Sequence, residues 1–402
     1  MANNEALKKL RDETHQELET NILPYWMKNV VDPKGGFYGE INGKGEVVPN
    51  AIKGGVLNAR ILWTFSAAYR IFKKKEYLDT ATRAKREIID KFYDKKNGGT
   101  YWAIDCDGNP VDAKKQIYQL GFSIYGLSEY NRATGDEEAK EYAIKLFHDI
   151  ENHSFDKEKN GYLEAFAQDW SALNDVRLSD KEDNSPKTMN THLHILEPYT
   201  NLYRIWRDPM VEQKLRNLIN LFCDKILMKN YHLGLFFDND LNCNSPIFSF
   251  GHDIEAAWLM DEAAQVLGDK AVIDKVLKII HHVTDEACRG LIGAEVGMIH
   301  ELNAKTGEID GHREWWTQCE AVIGCLNAYQ RFGDKKYLDR SIEAWTFIKN
   351  HLVDHEHGEW YWGLRTNGTL MLDDDKIGLW KCPYHNSRMC MEVYERAKEM
   401  GV

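Results

Sequence analysis

One kind of short turn recurs along the whole chain. It reads Asp32-Pro-Lys-Gly-Gly-Phe-Tyr-Gly at first, then Asp94-Lys-Lys-Asn-Gly-Gly-Thr-Tyr-Trp, then Asp156-Lys-Glu-Lys-Asn-Gly-Tyr-Leu. Weaker copies follow at His232-Leu-Gly-Leu-Phe-Phe, Arg289-Gly-Leu-Ile and His355-Glu-His-Gly-Glu-Trp-Tyr-Trp. With Gly36, Gly99, Gly161, Gly234, Gly290 and Gly358 as markers, successive copies stand 63, 62, 73, 56 and 68 residues apart. Six copies of one unit make a repeat architecture, in which each unit buries its apolar face against its neighbours.

Two helical patterns follow each of the first five markers: 56–72 and 76–92, 116–134 and 136–153, 188–206 and 210–227, 253–267 and 270–288, 314–332 and 335–353. The sixth marker has a single helix after it, at 384–400, but the chain opens with an unpaired helix at 4–21. Pairing the last with the first makes twelve helices and closes a ring. The partners differ in kind. VLNARILWTFSAAYRIF is apolar on nearly all sides, whereas EYLDTATRAKREIIDKF carries one apolar stripe and a charged face. A helix apolar all round is buried and a striped one lies at the surface. The expectation is an all-α fold, an (α/α)6 barrel of six helix pairs joined by short Gly-aromatic β-turns, forming one catalytic domain over residues 1–402. Only the end-pairing separates this from an open superhelix of twelve helices.

Composition narrows the partners. A formal net charge of -12 argues against nucleic acid and anionic membrane, which demand clustered basic surface. The 12 Trp and 19 Tyr exceed what a core needs, and their flat apolar faces with polar edges suit stacking on sugar rings. Eight cysteines without a CxxC pair read as reduced thiols. No apolar run is long enough to span a bilayer, and the charged amphipathic start lacks a signal-peptide core. A cytoplasmic protein, monomeric or weakly dimeric, is expected. The polar stretch 168–187 lacks helical periodicity and reads as a surface loop beside the site, a lid or a solvated excursion.

If the inner helices run parallel, their N-termini meet at one mouth of the barrel. Residues out of place in a core fall there, unit by unit: Arg60; Tyr118; Asn190, His192 and His194; His252 and Glu255; Trp315, Trp316 and Glu320; and Trp380, Tyr384, His385, Asn386 and Arg388. Polar side chains converging in a cavity mark a site. The stretch Phe250-Gly251-His252-Asp253-Ile254-Glu255 reads as a turn opening an apolar helix. The helix dipole disfavours an imidazolium at His252, while Glu255, at i+3 on the same face, opposes that and holds one tautomer. No HExxH, no CxxC and no zinc-ligand spacing is present, so no metal is expected. Paired carboxylates for glycoside hydrolysis are available from Glu197, Glu255 and Glu320, but a two-carboxylate mechanism leaves His252 and His385 unexplained. Two histidines from opposite sides of the ring suit proton exchange at a carbon α to a carbonyl. One removes the proton, the other returns it on the opposite face, and Arg60 stabilises the enediolate between.

The segments Asn58-Ala-Arg60-Ile-Leu-Trp63, Thr188-Met-Asn190-Thr-His-Leu-His194, Gly251-His252-Asp-Ile-Glu255-Ala256, Trp315-Trp316 with Glu320, and Trp380-Lys-Cys-Pro-Tyr-His385-Asn-Ser-Arg-Met resemble the cellobiose 2-epimerases of the N-acylglucosamine 2-epimerase superfamily. The similarity runs nearly the whole chain, and its specific parts are the WKCPYHN and GHDIEA motifs. The resemblance implies an (α/α)6 barrel that inverts C2 of the reducing-end glucose in a β-1,4-linked disaccharide, without metal, nucleotide or other cofactor. It implies His252 and His385 as acid/base pair, Arg60 as the stabilising cation, and His194 as the histidine of ring opening or of the anomeric oxygens. Tyr118, Asn190, Glu255 and Glu320 are then polar partners of the reducing-end sugar, with Trp315, Trp316 and Trp380 as aromatic platforms. A monosaccharide 2-epimerase, an aldose–ketose isomerase and a non-catalytic sugar-binding barrel are the competing readings. Pro198 departs from a plain helix: it removes a backbone bond to the His194 carbonyl and is expected to kink the helix there.

Overall fold

The computed structural model describes residues 2–180 and 182–402. Each Gly-aromatic turn folds as a tight hairpin closed by one antiparallel bridge, from Val31↔Phe37 in the first unit to Val353↔Trp360 in the sixth. Glycine is required where the chain reverses: Gly36, Gly99, Gly161 and Gly358 all adopt positive φ. In four units the Asp after the bridge accepts an ammonium from a buried lysine just ahead of the inner helix. The pairs are Asp32–Lys53 at 2.9 Å, Asp94–Lys115 at 2.9 Å, Asp156–Lys187 at 2.8 Å and Asp354–Lys376 at 2.5 Å. Met228 and Ile292 occupy the Asp position in the fourth and fifth units.

The helices are α1 (Ala2–Glu17), α2 (Leu23–Asn29), α3 (Gly55–Phe72), α4 (Lys75–Glu87), α5 (Ile117–Thr134), α6 (Glu137–His153) and α7 (Met189–Ile205). They continue as α8 (Pro209–Leu221), α9 (Phe250–Leu267), α10 (Lys270–Ala287), α11 (Trp315–Phe332), α12 (Lys335–Phe347) and α13 (Tyr384–Glu399). The opening helix runs further than its sequence pattern, through a wide turn at Leu18–Ile22 into α2. Similar wide turns end α4, α8 and α12 at Ile88–Phe92, Phe222–Ile226 and Ile348–Leu352. The odd-numbered helices from α3 to α13 are buried almost throughout, and α3 packs on α5, α5 on α7, α7 on α9, α9 on α11, α11 on α13 and α13 back on α3. This inner ring is the closed barrel expected from the repeat. The opening helix α1 packs against α13, as the end-pairing demands.

Closure is repeated at both rims. At the mouth, the strand ahead of each inner helix pairs with the strand after the next hairpin, as in Lys53–Gly54 with Ala103–Ile104 and Arg313–Glu314 with Gly363–Leu364. A bridge between Ile41 and Ile377 joins the sixth unit to the first. At the floor, the C-terminal turns of the inner helices form a circle of charge-assisted bonds. Arg70 binds Glu129 at 2.6 Å, Arg132 binds Asn201 at 2.8 Å, Arg204 binds Glu262 at 2.7 Å and Arg331 binds Asp261 at 2.6 Å. Arg396 then binds Asn327 at 2.7 Å, and Arg70 reaches Glu395 at 2.9 Å. Polar ends of apolar helices are thus satisfied where six of them converge.

Pro198 does not end α7, which is continuous across it. The carbonyl of His194 that the proline leaves unbonded lies against Gly121 of α5, where any Cβ would collide with it. The proline and the glycine together let two inner helices cross closely, and the pose of His194 is set by a side-chain bond instead. The 168–187 loop folds onto the mouth: Trp170 stacks on His153 with ring centres 4.1 Å apart, Gln116 donates to the Val176 carbonyl, and Leu178 is buried. Lys181 of this loop lies outside the described residues.

Candidate active site

The N-terminal turns of α3, α5, α7, α9, α11 and α13 all open on the mouth. Not every polar residue there serves a cavity. A side chain early in most inner helices latches the preceding hairpin: His192 Nε2 accepts the Tyr162 amide at 3.0 Å, Asp253 accepts that of Leu233 at 2.8 Å, and Gln318 accepts that of Met298 at 2.7 Å. His192 also lies 2.6 Å from the Thr188 carbonyl through Nδ1, so both ring nitrogens are spent on the backbone. Burial drops its pKa to about 4, and it is a neutral structural histidine.

Arg388 of α13 is the hub of the site and fully buried. Its guanidinium binds Glu255 at 2.6 Å, Glu320 at 2.7 Å, and both Glu197 and the Tyr384 hydroxyl. One cation cannot neutralise three carboxylates, and the charge redistributes. Burial, then Glu320, raises Glu255 so that it keeps its proton. Burial also raises Glu320, but Arg388 and His385 outweigh it and keep that carboxylate ionised. Glu320 Oε1 lies 2.7 Å from His385 Nδ1 while Oε2 accepts the Trp258 indole N–H at 2.9 Å. Both oxygens of Glu320 therefore face protein donors. It braces His385 at Nδ1.

His252 lies in the first turn of α9, which begins at Phe250. Its imidazole is not held by Glu255, whose partner is Arg388; Nδ1 lies instead 3.0 Å from Ser249 Oγ. The Trp316 ring centre is 4.7 Å from that of His252 and 5.9 Å from that of His385, so one indole touches both imidazoles. Burial holds both histidines down at about 3. His300, His194 and His385 add to this at His252, whereas Glu320 opposes it at His385. Burial thus favours the neutral ring at both positions, and the Glu320 carboxylate at Nδ1 is what favours a proton on His385.

Among the described residues, Arg60 of α3 has no carboxylate within bonding distance. It donates to the Tyr118 hydroxyl at 2.7 Å and lies over the Phe122 ring at 4.2 Å, while its Nε has no partner. A buried guanidinium with unspent donors is poised for an anion. His194 Nδ1 lies 3.0 Å from Glu197 Oε2, and its ring packs edge-on against Tyr118 at 4.9 Å. Burial, then Arg60 and Arg388, lowers its pKa well below the usual value. Asn190 keeps a buried side-chain oxygen without a partner. Trp380 is half-buried in the turn before α13 and packs against Trp102 at 5.9 Å. Trp315 is buried against Trp362 at 4.7 Å, with its ring centre 6.4 Å from that of His385.

Among the described residues, two clusters bring three metal-ligand atoms within 4.8 Å of one another: Glu255, Glu320 and His385, and His300, Glu301 and Asp310 at the rim. In the first, Arg388 already occupies the carboxylates, and a cation would have to displace it.

Residues 36–387 match the N-acylglucosamine 2-epimerase (GlcNAc 2-epimerase) family. The chain is 56% identical over 386 residues to a cellobiose 2-epimerase of Bacteroides fragilis, covering 96% of this chain and 98% of that one. The chain belongs to the N-acylglucosamine 2-epimerase family. A cellobiose 2-epimerase of Ruminococcus albus is 41% identical, covering 96% of this chain and 99% of that one. The solved cellobiose 2-epimerase of Bacillus thermoamylovorans superposes with a TM-score of 0.92 at 39% identity, over 97% of this chain and 100% of that one. These are (α/α)6-barrel isomerases, and the inner-helix ring described above is that fold.

Within this family frame, the structure brings His252, His385, Arg60, His194, Tyr118, Glu255, Trp316 and Glu320 around one mouth. Sequence reasoning left out Ser249 and His300. Arg388 and Glu197 were visible as buried-pattern charges on helices otherwise apolar, but their pairing across four helices was not. His300 sits in an irregular segment, and no sequence pattern marks it as facing His252.

Proposed function

We propose that the protein is a cellobiose 2-epimerase, a single catalytic barrel that interconverts the C2 epimers of the reducing-end sugar in β-1,4-linked disaccharides such as cellobiose, lactose and mannobiose. The observation that carries this reading is the placing of His252 and His385 on one indole, Trp316, at the mouth of a barrel whose Arg60 lacks a carboxylate. His194, backed by Glu197, is placed to open the hemiacetal and free the C1 aldehyde. One imidazole Nε2 then takes the C2 proton. The C–H electron pair forms the C1–C2 double bond, and the negative charge gathers on O1, where Arg60 and Tyr118 donate. The other imidazole, protonated, returns a proton to the opposite face of C2 as the C1 carbonyl reforms. The ionised Glu320 makes His385 the better holder of that proton, since Ser249 offers His252 only a neutral hydroxyl.

Return of the proton to C1 instead gives a ketose, so the same centre can also serve aldose–ketose isomerisation. Incubation with cellobiose in deuterated water, with products resolved by chromatography and NMR, tests the reading. Glucosylmannose carrying deuterium at C2 is expected, with exchange lost in His252→Asn and His385→Asn. Turnover of monosaccharides alone, or epimerisation without solvent deuterium, rejects it.

A further inference from the structure

Ser249 is fully buried and caps α9. Its Oγ lies 3.4 Å from the His252 backbone nitrogen and 3.0 Å from His252 Nδ1. A serine hydroxyl has two lone pairs and one proton. At a helix N-cap the oxygen turns its lone pairs toward the unpaired amides of the first turn. With one lone pair turned to the His252 amide, the other is available to a proton carried on Nδ1. In a neutral imidazole a proton on Nδ1 leaves Nε2 bare. Among the described residues this is the hydrogen bond the His252 side chain makes. The other titratable groups that face it are His300, His194 on α7, His385 on α13 and Glu320 on α11, together with the Trp316 ring.

We propose that Ser249 is a positioning residue that locks His252 as its Nδ1–H tautomer, with the Nε2 lone pair directed into the cavity. The two imidazoles are then inequivalent by construction. His385 is backed by a carboxylate and suited to hold a proton; His252 is backed by a hydroxyl and suited to take one. One residue performs two tasks, starting the helix and setting the base it carries. The proposal rests on the reading of His252 as an acid/base residue.

Glycine is nearly as good an N-cap as serine, so Ser249→Gly removes the hydroxyl without unwinding α9. Ser249→Thr keeps the hydroxyl and serves as the rescue. Nitrogen-15 NMR on histidine-labelled protein, with His252→Asn for assignment, reads the tautomer directly. The Nδ1–H form is expected in the parent and in Ser249→Thr, and a mixture in Ser249→Gly. The same Ser249→Gly protein is expected to lose about tenfold in kcat for C2 deuterium exchange, equivalent to about 1.4 kcal/mol. Its KM and melting temperature should stay close to the parent's, and Ser249→Thr should recover most of the rate. An Nε2–H tautomer in the parent, or an unchanged tautomer and kcat in Ser249→Gly, overturns the proposal. Full exchange in His252→Asn would instead overturn the acid/base reading, while the NMR result still decides the tautomer.

Discussion

Replacing Glu320 by Gln tests the site at its most specific joint. The substitution keeps the shape and one acceptor, for which Trp258 and Arg388 compete, but removes the charge behind His385. The His385 Nδ1 to Glu320 Oε1 distance is 2.7 Å, at which unit charges attract by about 6 kcal/mol for an effective dielectric near 20. Arg388 draws on the same oxygen and the carboxylate spreads its charge over two, so about 2–3 kcal/mol of imidazolium stabilisation is at stake. Each 1.36 kcal/mol is a factor of ten, giving a fall of about 30- to 160-fold in kcat. Because both Glu320 oxygens face the protein rather than the cavity, KM is expected to change little. The assay is the initial rate of cellobiose epimerisation, run on protein shown by circular dichroism to be folded at the assay temperature. A kcat within threefold of the parent, or a loss confined to KM, would refute the reasoning and return Glu320 to the role of a sugar ligand.

Other consequences are open to measurement. Arg60→Met, which keeps the stem and removes the donors, should lower kcat by about 10²–10³ through loss of oxyanion stabilisation, and an effect on KM alone would count against the enediolate role. Gly121→Ala forces a methyl against the His194 carbonyl and should lower stability by about 1–3 kcal/mol through overpacking, read as a drop in melting temperature. At the floor, burial raises Glu129 but Arg132 and Arg70 outweigh it and hold it at about 2. A depressed carboxyl adds stability above its unfolded pKa and loses it as pH falls, here about 3 kcal/mol declining between about pH 4.5 and 2. Arg70→Gln should flatten that part of the stability–pH curve measured by denaturant unfolding, and an unchanged slope would place the acid sensitivity elsewhere.

The sequence determined the architecture because the information is local and periodic. Four of the six marker turns place their glycine at positive φ, and helices alternating between apolar-all-round and one-striped sort themselves into two layers without any knowledge of contacts. Even closure was legible, since an unpaired first helix and an unpaired last one can bury their faces only on each other. The mouth was legible for a similar reason: Arg60, His194, His252 and His385 are costly in a core. What sequence could not do was divide those exceptions by task. His192 and His194 stand two residues apart on one helix, yet the first has both nitrogens on backbone groups and the second faces Glu197. Glu255 was the natural partner of His252 by helical spacing, and it belongs instead to Arg388 on α13, more than a hundred residues away. Glu320, expected beside the sugar, bonds His385 on another helix. Which donor meets which acceptor depends on distances between helices that only the closed ring brings together. Hydrogen-bond energy falls away within an ångström of the optimum, and a one-dimensional pattern carries no ångströms between its repeats.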